Sequence, residues 1–138
     1  MKKKVLFLCT GNSCRSQMAE GFLRFLSPGQ CEVFSAGTHP GAVNPLAVTV
    51  MKEAGVDLTT HRSKSLDEFL DEKFDYVITV CDNARQSCPV FPGEYVRMHW
   101  TLEDPARAVG SLEERLAVFR SIRDRIHNHV QRFLTVVA

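Results

Sequence analysis

Residues 4–16 read KVLFLCTGNSCRS, and the two halves of that stretch have different physical characters. Lys4 to Cys9 is a short, continuous apolar run, the composition of a strand covered on both faces. Thr10 to Cys14 are small or polar. From Arg15 the apolar residues recur at helical spacing: Met18, Phe22 and Phe25, with Ala19 and Leu26 widening the stripe, until Ser27-Pro28-Gly29 ends it. A buried strand running straight into an amphipathic helix is the first half of a βαβ unit.

The rest of the chain repeats the alternation. Cys31 to Ala36 predicts a second strand. Asn44-Pro45 is a cap followed by a first-turn proline, opening a helix with Ala47, Val48, Met51 and Ala54 on its apolar face and Gly55 at its end. Leu66 to Leu70 predicts a short helical turn, Tyr76 to Val80 a third buried strand, and Tyr95 to Trp100 a fourth. Ser111-Leu112-Glu113-Glu114 is a capping box. It starts a long helix with Leu116, Phe119, Ile122, Ile126, Val130 and Phe133 on one side. No repeat, linker or low-complexity tract interrupts residues 1–138. The expected fold is therefore α/β: one domain, a parallel open sheet with helices on both faces. Ligands of such sheets bind beyond the carboxyl ends of the strands. Cys9, Cys81 and the turn after Trp100 all fall there.

The turn at residues 9–16 then acquires a chemical meaning. A loop bending from strand into helix leaves backbone N–H groups unpaired, and the helix N-terminus adds partial positive charge. Thr10, Gly11, Asn12, Ser13 and Cys14 are small or polar enough to let a tetrahedral anion approach that backbone. Arg15 can grip two of its oxygens in a planar fork. Cys9 feels the same dipole and guanidinium, which predicts a lowered thiol pKa, and Ser16 can donate to the thiolate. A lone cysteine beside a glycine turn would read as packing, but C-x5-R-S between strand and helix reads as a nucleophile in an anion loop.

Composition excludes several other classes. Net charge is +1, with 44% hydrophobic and 24% charged residues, so no basic footprint points to nucleic acid or a membrane surface. No apolar run approaches the roughly 20 residues of a membrane span. The basic and apolar start, MKKKVLFLC, is too short for a signal peptide and is followed by polar residues, not a small-residue cleavage site. Five cysteines are an odd number and lack the density of a secreted disulfide scaffold. A cytoplasmic protein with selected reactive thiols is expected.

The string CTGNSCRSQMAEG, residues 9–21, resembles the low-molecular-weight tyrosine phosphatase superfamily through its C-x5-R-S. More specifically it is similar to the thioredoxin-coupled arsenate reductases built on that phosphatase fold. The likeness continues through SAGTHPGAVNPLAV, VITVCDNARQSCP and HWTLEDPARA to the closing amphipathic helix. The resemblance implies a four-stranded parallel sheet flanked by helices. It also implies Cys9 as nucleophile, residues 10–15 as oxyanion loop, Asp104 as general acid, and Cys81 and Cys88 as a thiol relay. Arsenate would be the substrate and thioredoxin the electron donor, with no bound cofactor; a monomer is expected.

Those roles are chemically coherent. In-line displacement at arsenic or phosphorus needs a proton for the leaving oxygen, which Asp104-Pro105 can supply from its loop. Phosphate transfer to Cys9 ends in hydrolysis and needs no second thiol. Arsenic(V) on sulfur can instead be reduced when Cys81 attacks Cys9, after which Cys88 attacks Cys81. The intervening DNARQS is polar and suits a mobile surface segment. After Asp104-Pro105 come Ala106, Arg107 and Ala108, where tyrosine phosphatases of this fold commonly place aromatics against a phenol, so a small inorganic anion fits better.

Three rivals remain: a phosphatase with regulatory cysteines, a redox-sensing or anion-binding module without turnover, and a zinc site of Cys9, Cys14, Cys81 and Cys88. The zinc spacings do not match short knuckles, and a metal would block the anion loop. Cys14 and Cys31 read as packing, His127 and His129 point apart on their helix, and His39, His61 and His99 read as satisfied surface or loop residues. Some relatives hold a potassium ion beside the loop, and Asn12, Glu20 and Ser35 match three of its ligands. Arg62 and Lys64 stand where two others would be, so no metal is expected.

Overall fold

The computed structural model describes residues 2–137. Its strands are β1 (Lys3–Cys9), β2 (Cys31–Gly37), β3 (Tyr76–Thr79) and β4 (Val96–His99). They form one parallel sheet in the order β2-β1-β3-β4. Every β1 residue from Val5 to Cys9 is buried, because a strand in mid-sheet is covered on both faces. Edge strand β4 is half-exposed, as its mixed VRMH composition requires.

The helices are α1 (Arg15–Leu26), α2 (Pro45–Glu53), α3 (Asp82–Ser87) and α4 (Leu112–Val137). Two start signals act as the sequence predicts. Asn44 Oδ1 accepts from Leu46 N at 2.8 Å behind the first-turn Pro45. Ser111 and Glu114 close their capping box reciprocally at 3.1 and 3.2 Å. Leu116, Phe119, Ile122, Ile126, Val130 and Phe133 form the buried stripe of α4. Several side chains depart from the expected faces, among them Ala54, expected on the apolar face of α2 and exposed. Phe25 is 54% exposed while Leu23 is buried, and Val50 joins Ala47 and Met51 inside α2. In each case the packing partners, not the spacing, decide: α1 and α2 both lean on α4.

Alternation along β1 sends Phe7 to one face and Leu6 to the other. On the Phe7 side, Trp100 packs at 5.5 Å between ring centroids and Phe133 of α4 packs on Trp100. On the Leu6 side, its register partner Phe34 joins Phe69 and Phe74, and Phe74 meets Phe91 edge-on at 5.3 Å. The 3-10 turn Leu66–Phe69 helps close that face.

The polar segment between Cys81 and Cys88, for which the sequence predicted no helix, is helix α3. Cys81 supplies its cap, the thiol accepting from Ala84 N at 3.4 Å, and Cys88 closes it. Ala84 is its one buried residue, so sequence periodicity had too little to register. From β1 the chain runs outward to β2 and then back across to β3. That reversal opens a crevice at the carboxyl ends of the central strands, where the loop after Cys9 lies. No helix among the described residues is long and apolar enough to cross a membrane.

Candidate active site

The end of β1 puts Cys9 at the floor of a cleft of about 840 Å³. The cleft is lined by the loop residues Thr10, Gly11, Ser13, Cys14 and Arg15, by Cys81, and by the segment from Thr101 to Asp104. Three of the strand ends therefore converge on one thiol. The N–H groups of Gly11, Ser13, Cys14 and Arg15 have no acceptor in the protein among the described residues. Cys14, at the N-cap of α1, makes no side-chain cap either. Those donors and the helix dipole remain available to an anion.

Asn12 and Ser16 do something else. Neither lines the cleft, and both are fully buried. Asn12 is the one non-glycine residue with positive φ, at 49°, among the described residues. Its N–H donates to Cys9 Sγ at 3.1 Å. Its amide Nδ2 donates to Ser16 Oγ at 2.8 Å and Ser35 Oγ at 2.9 Å. Its Oδ1 accepts from Gln17 Nε2 at 2.9 Å and Lys64 N at 2.8 Å, and its carbonyl accepts from Ser63 Oγ at 2.7 Å. Every polar group of the side chain is satisfied inside the protein, which holds the strained turn in place. Ser16 Oγ lies 2.8 Å from Cys9 Sγ.

The Cys9 thiol is subject to opposing influences. Burial pushes its pKa up, against the Ser16 hydroxyl, the Arg15 guanidinium and the Asn12 N–H, which pull it down. The net direction is upward, contrary to the lowering expected from the dipole and guanidinium alone. The sequence showed the charges but not that Cys9 would be only 2% exposed. Cys14 behaves as a packed thiol, its pKa pushed up to about 11 mainly by burial.

Arg15 reaches across to the loop beyond β4. Nη1 donates to Leu102 O at 3.0 Å and Nη2 lies 3.9 Å from Asp104 Oδ2. Asp104 caps its own short turn by accepting from Ala106 N at 3.0 Å, and its side chain is about one-third exposed on the cleft wall. Cys81 Sγ lies 3.3 Å from Thr10 Oγ1, placing that thiol beside the residue that follows Cys9. Cys88 is on the far end of α3, half-buried, its pKa raised by burial. All five cysteines are free.

Gln17, His61, Ser63 and Lys64 were not singled out as site residues, yet they back the loop. Gln17 is fully buried and binds Asn12 and the Arg62 carbonyl. His61, read from the sequence as a satisfied surface or loop residue, is half-buried with Nδ1 2.9 Å from Gln17 Oε1, and His99 is half-buried beside Thr79. Only fold contacts between distant segments could reveal them. The residues around Glu20 do not fit a monovalent cation. Lys64 Nζ lies 3.7 Å from Glu20 Oε1 and Arg24 Nη1 2.8 Å from Oε2, so the chain supplies the positive charge itself. No group of three or more His, Cys, Asp or Glu side chains among the described residues could hold a metal.

A thiol, an open row of N–H donors, a guanidinium and a carboxylate surround one small pocket, an arrangement that can hold a tetrahedral oxyanion against the cysteine. The chain belongs to the low-molecular-weight phosphotyrosine protein phosphatase family, whose sequence pattern it matches over residues 4–138. It is 46% identical over 132 residues to an arsenate reductase of Halalkalibacterium halodurans, covering 96% of this chain and 95% of that one. A solved arsenate reductase in an oxidized state superposes with a TM-score of 0.85 at 32% identity, covering 99% of both chains. A thioredoxin-dependent arsenate reductase from Corynebacterium glutamicum does so at 0.78 and 27%, covering 99% of this chain and 62% of that one.

Proposed function

We propose that this chain reduces arsenate to arsenite with its own thiols and is regenerated by thioredoxin, acting as a cytoplasmic monomer without a bound cofactor. The observation that carries the reading is the Cys81 thiol 3.3 Å from Thr10 Oγ1, in the same cleft as Cys9. A phosphatase needs no thiol there, whereas a reductase must have one.

Arsenate enters the loop, its oxygens taking the free N–H groups and the Arg15 fork. Cys9 Sγ attacks arsenic in line with a leaving oxygen, which takes a proton from Asp104 and departs as water. The proton of the Cys9 thiol passes to the arriving oxyanion. Cys81 thiolate then attacks Cys9 Sγ. The sulfur–arsenic bond breaks, its electron pair goes to arsenic, and arsenite leaves behind a Cys9–Cys81 disulfide. Cys88 thiolate attacks Cys81, Cys9 departs as thiolate, and the disulfide now joins residues 81 and 88, open to reduction by the dithiol of thioredoxin. That last exchange requires movement. A six-residue helix separates the two thiols, and its rise of 1.5 Å per residue spans roughly 10 Å, beyond the roughly 7 Å between alpha carbons that a disulfide tolerates.

The cleft also has room for an aryl phosphate, so hydrolysis by the same loop, weak beside reduction, is the second reading. Arsenate-dependent NADPH oxidation with thioredoxin and thioredoxin reductase, run beside aryl phosphate hydrolysis, separates the two. Reductase turnover is expected, abolished in Cys9→Ser and Arg15→Ala. In Cys88→Ser, one arsenate pulse should yield a single turnover and a trapped Cys9–Cys81 disulfide by peptide mapping. Hydrolysis without reduction, or multiple turnover in Cys88→Ser, would sink the relay.

A further inference from the structure

One buried side-chain atom among the described residues has no hydrogen-bond partner: His99 Nε2. His99 ends β4, and its ring is fixed from the other side, with Nδ1 2.7 Å from Oγ1 of Thr79, its register partner on β3. Nε2 is thereby turned toward α3. It stands 3.3 Å from Asp82 Oδ1 without the alignment of a hydrogen bond. Asp82 is the first residue of α3, next to Cys81, and its side chain is otherwise 79% exposed. A buried ring nitrogen left unmatched calls for a reason, and the carboxylate that faces it belongs to the segment that carries both relay thiols.

Little else secures α3. It has six residues and buries only Ala84, far short of the roughly 12–15 residues at which an isolated helix becomes even marginal in water. Its remaining ties are the Cys81 cap and Asn83 Nδ2, which reaches Thr10 Oγ1 at 3.2 Å and Thr38 Oγ1 at 3.4 Å. A small rotation of Asp82 would complete a charge-assisted hydrogen bond to the imidazole N–H.

We propose that His99 is a positioning residue that latches the first turn of α3 through Asp82, and that release of this contact gates the approach of Cys88 to Cys81. The inference rests on the relay described above. While the latch holds, Cys81 stays beside Thr10, where it can reach Cys9. Once Cys81 is bonded to Cys9, its displacement pulls on the residue next to it, Asp82, and α3 is freed to unwind. His99 touches no substrate and exchanges no electrons; it sets which thiol Cys81 can meet.

The latch can be tested apart from arsenate chemistry. In a Cys9→Ser background, diamide removes two electrons from the Cys81 and Cys88 thiols to form their disulfide. The rate of that closure, followed by acid quench and peptide mapping, reports how often α3 opens. Loss of the Asp82–His99 contact, and of the charge-assisted hydrogen bond it can close to, should accelerate closure roughly 10-fold in Asp82→Ala and in His99→Ala. Asp82→Asn, which keeps an acceptor but not the charge, should fall between the parent and Asp82→Ala. The double variant should be no faster than either single one, a coupling that mere loosening of the fold would not produce. An unchanged rate in Asp82→Ala, a change that leaves the core untouched, overturns the latch. So do additive effects in the double variant. Failure of the relay itself would be read separately, as the missing Cys9–Cys81 linkage after an arsenate pulse.

Discussion

Cys9 reacts only as a thiolate, and three neighbours work against its burial to make that state reachable: Ser16, Arg15 and Asn12. Ser16 exerts the largest of those lowering effects through its 2.8 Å contact. Ser16→Ala should move the pH midpoint of Cys9 alkylation upward and slow the first chemical step by about 10- to 100-fold, since one lost hydrogen bond to an ionised group costs about 1.5–3 kcal/mol. Alkylation kinetics across pH, with Cys9 resolved by peptide mapping, measure it; an unmoved midpoint refutes the assignment. In the proposed reaction Asp104 works at the opposite end of the reacting bond, on the leaving oxygen. Asp104→Asn keeps the acceptor that caps Ala106, so the fold should survive while single-turnover arsenite formation falls by about 10²- to 10⁴-fold. An unchanged rate would mean that another group supplies the proton.

The loop is shaped by the elements that press on it as much as by its own residues. Gly37, the register partner of Cys9 at the end of β2, leaves no room for a side chain. A Cβ there would stand 2.5 Å from the Thr10 carbonyl oxygen and 2.9 Å from the Asn12 nitrogen. Both obstacles are backbone, so the loop itself must give way. Gly37→Ala should therefore cut activity by at least 10-fold through displaced oxyanion donors, the scale on which one misplaced donor acts, with vanadate or phosphate affinity falling in parallel. Undiminished anion binding would show that the loop tolerates the intrusion. The strand-loop-helix unit was legible in the sequence because its signals are local: apolar run, small polar turn, helical stripe. The support from Gln17, His61, Ser63 and Lys64 was not, since polar residues 44 to 52 positions apart meet only once the chain has folded. Helix α3 escaped for a different reason, with one buried residue and a cysteine for a cap. Cys9 burial was hidden too, because a residue's position at a strand end does not reveal how deeply the following loop will cover it.

For the molecule as a whole, the same buried polar layer that supports the loop also links stability to pH. His61 sits between Gln17 Oε1 at 2.9 Å and Glu20 Oε2 at 3.7 Å, with its side chain 9% exposed. Burial nonetheless pushes its pKa below the ordinary imidazole value, more than Glu20 raises it. His129, stacked on Trp100 at 4.9 Å, is lowered by burial as well. In the unfolded chain both imidazoles take up a proton near pH 6.5, while in the folded protein they resist it. The unfolded state therefore binds more protons, and the stability present above about pH 6.5 is lost as the pH falls toward the folded values. The lowered carboxylates Glu53, Asp57, Glu68 and Glu114 carry the same sign but titrate below about pH 5, so they leave the interval from 7.5 to 5.5 to the histidines. Urea denaturation at those two pH values should give a lower midpoint in acid, and His61→Gln should shrink the difference between them. An equal drop in both proteins would place the acid sensitivity elsewhere. A smaller drop would mean that the layer supporting Cys9 is also where mild acid first weakens the fold.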